Sequence, residues 1–257
     1  MGPAGKAPTE RFSDRAALYV RYRPGYPEQV IEILRRETGL TPAAHIADLG
    51  CGTGISAELF LRCGASVTGV EPNPEMRAFA AALASKYPRW RLVAASAEAT
   101  TLPDRSVDTV VAAQAFHWFD PQRFRAECAR ILRRGGWVVL LWNTRRTEVT
   151  PFLRAYEALL QHYATDYREV DHRRIDAAAL QRFFGHPAFE RRRLDHRQQF
   201  DRDALRGRLL SSSYAPAAGH PSHAPMMAAL DRLFAQHQEG GQVGFEYDTE
   251  LYFGRLE

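Results

Sequence analysis

The run Ile46-Ala47-Asp48-Leu49-Gly50-Cys51-Gly52-Thr53-Gly54, with Val67-Thr68-Gly69-Val70-Glu71-Pro72-Asn73 downstream, constrains this chain more than any other stretch. Ala44 to Leu49 read as a short apolar strand. Three glycines at alternate positions then allow a sharp turn and a close approach of backbone to a ligand, where a Cβ would collide. Ile55 to Cys63 carry Ile55, Leu59 and Phe60 on one helical face, and the free N–H groups of that helix point back at the turn. Glu71 closes a second strand about 20 residues after the turn, the spacing at which an acid meets a ribose hydroxyl pair in open α/β sheets. Strand, glycine turn, helix and acid together predict a nucleoside pocket.

A dinucleotide fingerprint, G-x-G-x-x-G/A, fails at its third position: the small residue would fall at Ile55, and the glycine stands one place early at Gly54. Asp48 ends the first strand, where a carboxylate repels a pyrophosphate but suits an α-amino group. An adenosyl amino acid therefore fits better, and a dinucleotide-dependent oxidoreductase is the weaker alternative.

The first half alternates strand and helix with short connections, which argues for a parallel sheet covered on both faces. Trp90 to Ala95 and Val107 to Ala113 read as the third and fourth strands, with helices over Met76 to Tyr87 and Pro121 to Leu132. Gly135-Gly136 are expected to end the second of these helices, and Trp137 to Trp142 to form an all-apolar fifth strand. After Asn143 the pattern predicts helices over Phe152 to Tyr163 and Ala177 to Phe184, as an insertion over the site. A strand over Phe189 to Phe200, helices over Asp203 to Leu210 and Ala224 to His237, and a last alternating strand over Gly244 to Phe253 follow. The expected organisation is an N-terminal helical lid (1–39), a nucleotide-binding core (40–144), and a helical insertion with strands that complete the sheet (145–257).

Composition narrows the function classes. No apolar stretch approaches the ~20 residues of a membrane span, and Met1 to Arg11 lack the apolar core of a signal peptide. The expectation is a cytoplasmic protein with no membrane partner. Cys51, Cys63 and Cys128 are odd in number and widely spaced, which excludes a full disulfide framework and a Cys-x-x-Cys metal knuckle. The net charge of +4 and the runs Arg173-Arg174 and Arg191-Arg192-Arg193 could mark nucleic-acid binding. Acids interspersed throughout, and the lack of interleaved aromatic and basic residues, argue against it. Oligomeric state leaves no trace in the sequence.

Asp48, Gly50, Gly52 and Gly54 supply a D-x-G-x-G-x-G pattern that resembles the first motif of class I S-adenosylmethionine (SAM) dependent methyltransferases. Glu71, Ala97-Glu98 with Leu102-Pro103, and Asp108 opening the fourth strand extend the likeness. Tyr19-Val20-Arg21-Tyr22-Arg23-Pro24-Gly25-Tyr26-Pro27 and Gln114-Ala115-Phe116-His117-Trp118-Phe119 are similar to elements of the methyltransferase type 11 branch, including relatives of trans-aconitate methyltransferase. The resemblance covers residues 19 to 144. It implies a doubly wound, seven-stranded, mostly parallel Rossmann-like α/β sheet, with the last strand antiparallel beside the fifth.

It also implies roles. Gly50, Gly52 and Gly54 would pack against the methionyl and ribose parts of SAM, and of its product S-adenosylhomocysteine (SAH). Asp48 would order the amino group, and Glu71 would accept both ribose hydroxyls. Pro72 and Asn73 would shape one wall, with Met76 either near the adenine or simply filling core. Ala97 and Glu98 would meet the adenine edge. Gln114 and Phe116 would lie beneath the sulfonium, and Tyr22 would belong to the lid, with Trp118 near the acceptor. Arg23 is either an acceptor-carboxylate clamp or a structural ion pair, with Arg145 and Arg146 as further clamps. His117, whose ordinary pKa of ~6.5 suits a general base, is the catalytic candidate, or else it holds the loop after the fourth strand.

The expected activity is methyl transfer to a small-molecule acceptor, O-methylation of a carboxylate or hydroxyl, with no metal. Gln114-Ala115-Phe116-His117 bears no Asn/Asp-Pro-Pro-Tyr/Phe signature, which disfavours methylation of adenine or glutamine amines. A SAM-binding module that acts through a partner without turnover is the alternative.

Overall fold

A computed structural model describes residues 16–167, 177–185 and 189–256. The Met1 to Arg11 stretch and the Arg173-Arg174 pair lie outside the described residues. Helices α1 (Ala16–Tyr22) and α2 (Gln29–Thr38) precede the sheet. Then β1 (His45–Leu49), α3 (Ile55–Arg62), β2 (Ser66–Val70), α4 (Pro74–Ala81), β3 (Trp90–Val93), β4 (Val107–Ala113), α5 (Pro121–Ile131) and β5 (Leu132–Arg145) alternate. The second half holds α6 (Pro151–Tyr163), α7 (Ala177–Phe184), β6 (Phe189–Phe200), α8 (Arg202–Leu210), α9 (His223–His237) and β7 (Val243–Gly254).

The seven strands form one sheet in the order β3-β2-β1-β4-β5-β7-β6. Pairs β1–β2, β1–β4, β2–β3 and β4–β5 are parallel, and β7 runs antiparallel to both β5 and β6. The strand order reverses beside β1, between β2 and β4, and in open α/β sheets ligands bind at the carboxyl ends of the strands at such a point. Period-two alternation sends Ile46 into the core under α2 and α3, and Ala47 into the core under α5 and α7. A third apolar cluster joins α6, α8 and α9 to β7 around Phe245 and Tyr247.

Two local expectations need correction. The α-helix that begins at Pro74 stops at Ala81 and tightens into a 3₁₀ turn over Ala82–Ser85, instead of running to Tyr87. Gly135-Gly136 do not end α5: the helix stops at Ile131 and β5 opens at once, with Leu132 opposite Val107 and Trp137 opposite Thr109. The two glycines sit in the bulge between those pairs. Gly135 has φ +77°, and a Cβ on Gly136 would lie 2.9 Å from the Asp108 carbonyl oxygen, so the bend needs glycine at both places.

Gly69 shows how tightly β2 meets the glycine turn. A Cβ there would fall 2.2 Å from the Trp90 ring and 2.7 Å from Cys51 Sγ. The indole cannot slide away freely, because its Nε1 donates to the Ala80 carbonyl at 3.0 Å. Gly69→Ala is expected to destabilise the fold by about 1–3 kcal/mol through overpacking. A thermal melt would register this as a drop of several degrees, and an unchanged melt would contradict the packing described.

Candidate SAM site

The glycine turn is hydrogen-bonded to the next strand: Gly50 and Cys51 N–H donate to the Val70 carbonyl at 2.8 and 3.2 Å. Gly50 has φ +67°, and a Cβ on it would lie 2.9 Å from both Ala115 Cβ and the Phe119 ring. Gly52 has φ +56° and lines a cavity in which a Cβ would meet no protein atom within 4 Å. One glycine is needed for close packing and the other keeps the floor of the cavity clear.

Glu71 ties the second strand to this turn. Its Oε2 accepts from Gly52 N–H and its Oε1 from Asn73 N–H, each at 2.9 Å. The group is buried, and burial raises its pKa above the ordinary value. Each oxygen retains a lone pair for a further donor. Asn73 in turn caps α4, its Oδ1 accepting from Met76 N–H at 2.8 Å. Asp48 lies fully buried behind the turn, with Oδ2 accepting from Ser56 Oγ at 2.6 Å and Oδ1 without a hydrogen-bond partner. Burial pushes its pKa up to about 7, Ser56 opposing and Glu71 adding to the rise.

The turn, Glu71, Asn73 and Met76 border a cavity of about 310 Å³ at the carboxyl ends of β1, β2 and β4, whereas Asp48, fully buried behind the turn, is not part of its lining. Of the residues expected at the site, Gly50, Gly52, Glu71, Pro72, Asn73, Met76, Ala97, Glu98, Gln114, Trp118 and Arg23 line it. Glu98 is also engaged at its carboxylate, where Oε1 accepts from Asp120 N–H at 3.1 Å. Gln114 holds φ +54°, an uncommon conformation for a side-chain-bearing residue, and its Nε2 donates to the Asn143 carbonyl at 3.0 Å.

Several expected residues are placed elsewhere. Gly54 turns away from the cavity toward Leu83, whose Cδ1 lies 2.4 Å from where a Cβ would be. Phe116 is buried in an aromatic cluster, its ring centroid 4.9 Å from Phe183 and 5.8 Å from Phe124. His117 does not line the cavity and packs on Trp118 at 4.8 Å. The cause is the single 3₁₀ turn over Phe116–Trp118, in which successive side chains point about 120° apart. Tyr22 packs against Gly207 of α8 and is not in the cavity wall. Arg145 pairs with Glu157 at 2.6 Å, and Arg146 with Asp248 at 2.6 Å and with Asp195, so neither lines the cavity. Each guanidinium of the run Arg191–Arg193 has an acidic neighbour: Glu250, Glu190 and Asp248.

Tyr19 and Tyr26 of the N-terminal motif also line the cavity, and Thr53, Asn143 and Arg208 line it without a role having been assigned to them from the sequence. Asn143 binds the N-terminal segment to the sheet, donating to the Gly25 carbonyl at 2.8 Å and accepting from Thr249 Oγ1 at 2.6 Å. Arg208 did leave a signal: it falls between Leu205 and Leu209 on the buried face of α8, where an apolar residue would be ordinary.

An adenosyl amino acid fits these residues. The clear floor at Gly52 gives space and the acid at the end of β2 a hydroxyl acceptor, and the buried Asp48 Oδ1 behind the turn has no hydrogen-bond partner. Among the described residues no helix is long and apolar enough to cross a membrane.

Comparison with known proteins agrees with this geometry. Residues 47–140 match the family model described as a methyltransferase domain. An uncharacterized methyltransferase of Mycobacterium tuberculosis is 40% identical over 136 residues, which cover 52% of this chain and 52% of that protein. The chain thus spans about half the length of these curated relatives. The Anaeromyxobacter dehalogenans structure named a "Putative Type II Methyltransferase" superposes with a TM-score of 0.66 at 25% identity, covering 91% of this chain and 98% of that one. A Haemonchus contortus phosphoethanolamine-type N-methyltransferase, solved with SAH, shares the fold at a TM-score of 0.52 and 16% identity, over 94% of this chain and 57% of that one. Residues 47–140 are thus a methyltransferase domain, set in a sheet that shares the class I SAM-dependent methyltransferase fold, and SAM is the cofactor which that domain and fold imply.

Proposed function

We propose that this protein transfers the methyl group of SAM to an oxygen of a small-molecule acceptor, a carboxylate or a hydroxyl. The observation that carries the proposal is the single cavity shared by two kinds of wall. One wall is the glycine turn with Glu71, Asn73 and Met76, and the other is Tyr19, Arg23, Tyr26 and Arg208. When bound, the cofactor supplies a sulfonium methyl that is already a strong electrophile. The chain's part is to hold an acceptor oxygen in line with it and keep water out.

Asp48 receives the ammonium group and Glu71 the ribose hydroxyls in this reading. The segment before β1 acts as the lid, held by the Asn143 bond to Gly25. Among the described residues no histidine lines the cavity. A carboxylate acceptor carries no proton at neutral pH and needs no base, which favours it over a hydroxyl. Cys51, Cys63 and Cys128 are all free thiols, in keeping with a cytoplasmic location.

Calorimetric titration with SAM, SAH and NAD tests the reading. Binding of the two adenosyl amino acids without NAD is the expected result. Binding of NAD alone would overturn it.

A further inference from the structure

Helix α8 carries one charge that the cofactor site does not explain. Arg202 and Arg206 of this helix both pair with Asp231, whereas Arg208 has no acidic partner among the described residues. It is 6% exposed, its Nη1 donates to Ser212 Oγ at 3.2 Å, and its Nε meets no acceptor. The Phe245 ring lies 5.8 Å from the guanidinium. Arg23 is in a similar position. Its Nη2 donates to the Ser211 carbonyl at 3.1 Å, its Nε has no acceptor, and its guanidinium lies 4.9 Å from the Tyr19 ring.

The two arginines are brought together by one close contact. A Cβ on Gly207 would lie 2.1–2.5 Å from the Tyr22 ring, so α1 and α8 touch at Tyr22 and Gly207. The next residue on each side is an arginine, and both line the cavity. Burial, and then the positive charge of Arg208, hold the Arg23 pKa below its ordinary value. Burial penalises Arg208 too, but the hydroxyls of Tyr247, Tyr214 and Tyr156 around it more than offset that and hold its pKa above the ordinary value. The uncompensated cost falls chiefly on Arg23, and an anion placed between the two cations relieves it. The planar fork of a guanidinium matches a carboxylate in particular.

We infer that Arg208 and Arg23 form a carboxylate-binding subsite, and that the methyl acceptor supplies the carboxylate. The inference rests on the methyltransferase reading above. The cofactor also ends in a carboxylate, but its ammonium partner Asp48 belongs to β1. Arg208 comes from a helix of the second half and sits against Phe245 of β7. An acceptor held this way is selected for charge: a neutral amide of the same shape leaves both guanidiniums unpaired and is rejected.

The test uses the full chain saturated with SAH and follows its melting temperature with acetate and succinate, and with acetamide and succinamide. The expected result is a rise with the carboxylates, none with the amides, loss of the rise in Arg208→Met, and partial retention in Arg208→Lys. If Arg208→Met does not fold, Arg23→Met carries the same expectation. Absence of any response to the carboxylates while SAH still binds overturns the inference alone. Failure of SAH to bind overturns the reading beneath it. The second source of the carboxylate is separated with 5′-methylthioadenosine, which lacks the amino-acid tail. If Arg208→Met weakens SAH by about tenfold or more and leaves methylthioadenosine unchanged, the subsite belongs to the cofactor and the inference is wrong.

Discussion

Asp48→Asn is expected to make the ligand-free protein more stable above about pH 7 and, at the same time, to weaken SAM binding by ~30-fold or more. The two effects share one cause. Burial raises the Asp48 pKa from 3.8 to about 7. Between those values the unfolded chain ionises this group while the native protein keeps it protonated, so stability falls as the pH rises across the window. Above about 7 the native state holds a buried carboxylate, at a cost whose ceiling is about 4 kcal/mol for a shift of three pKa units. Asparagine is nearly isosteric, keeps an acceptor for Ser56 Oγ, and never ionises. A melt at about pH 8 should therefore rise by several degrees.

Binding moves the other way, because the ammonium of SAM needs the ionised carboxylate. Affinity of the unsubstituted protein is expected to climb roughly tenfold per pH unit up to about 7 and then flatten, and the asparagine variant should lack that slope. Methylthioadenosine, without an ammonium group, should bind both forms alike. Calorimetry at several pH values decides the matter. Equal SAM affinity in the two forms would remove Asp48 from the site.

Glu71→Gln is expected to lower affinity by about a hundredfold for SAM and for methylthioadenosine alike, since both contain the ribose. The carboxylate accepts one backbone N–H on each oxygen, from Gly52 and Asn73. An amide presents one oxygen and one NH₂, so one of those N–H groups would face another donor in a buried setting, at a cost of about 1–3 kcal/mol. The glycine turn loosens as the ribose acceptor is lost, and the melting temperature should fall with the affinity. A variant that lost SAM but kept methylthioadenosine would show that Glu71 does not hold the ribose.

Much of the fold was legible because its parallel half is written in local signals. Apolar strands, N-caps at Asn73 and Asp120, and Pro74 and Pro121 in first helical turns recur at short intervals. Strand β7 was legible too, from the alternation of buried and partly exposed residues over Val243 to Glu250. Its place antiparallel beside β5 was expected only through family resemblance, since no local pattern encodes strand order, and its ladder with β6 was not foreseen. The cofactor side of the cavity followed from Gly50, Gly52 and Glu71, which are close in sequence. The opposite wall followed only in part, since Arg23 was expected there and Arg208 was not. Arg208 reaches the site through a contact between α1 and α8, nearly the whole sheet apart in sequence. The direction of Phe116 and His117 depended on one turn of 3₁₀ helix, which periodicity cannot resolve.

The position of β7 also orders how the molecule can be made. In a chain synthesised from its N-terminus, β1 to β5 can pair as they emerge, because each finds a neighbour already present. Strand β6 cannot, since its only ladder is with β7, and β7 is what joins it to β5. Until Val243–Gly254 have been made, β6 is a nascent segment without a template, and α8 with Arg208 has no Phe245 to rest against. These pairings are long-range in sequence and slow to form. A nascent chain would therefore complete the parallel half of the sheet first and seat Arg208, the last part of the opposite wall, only at the end.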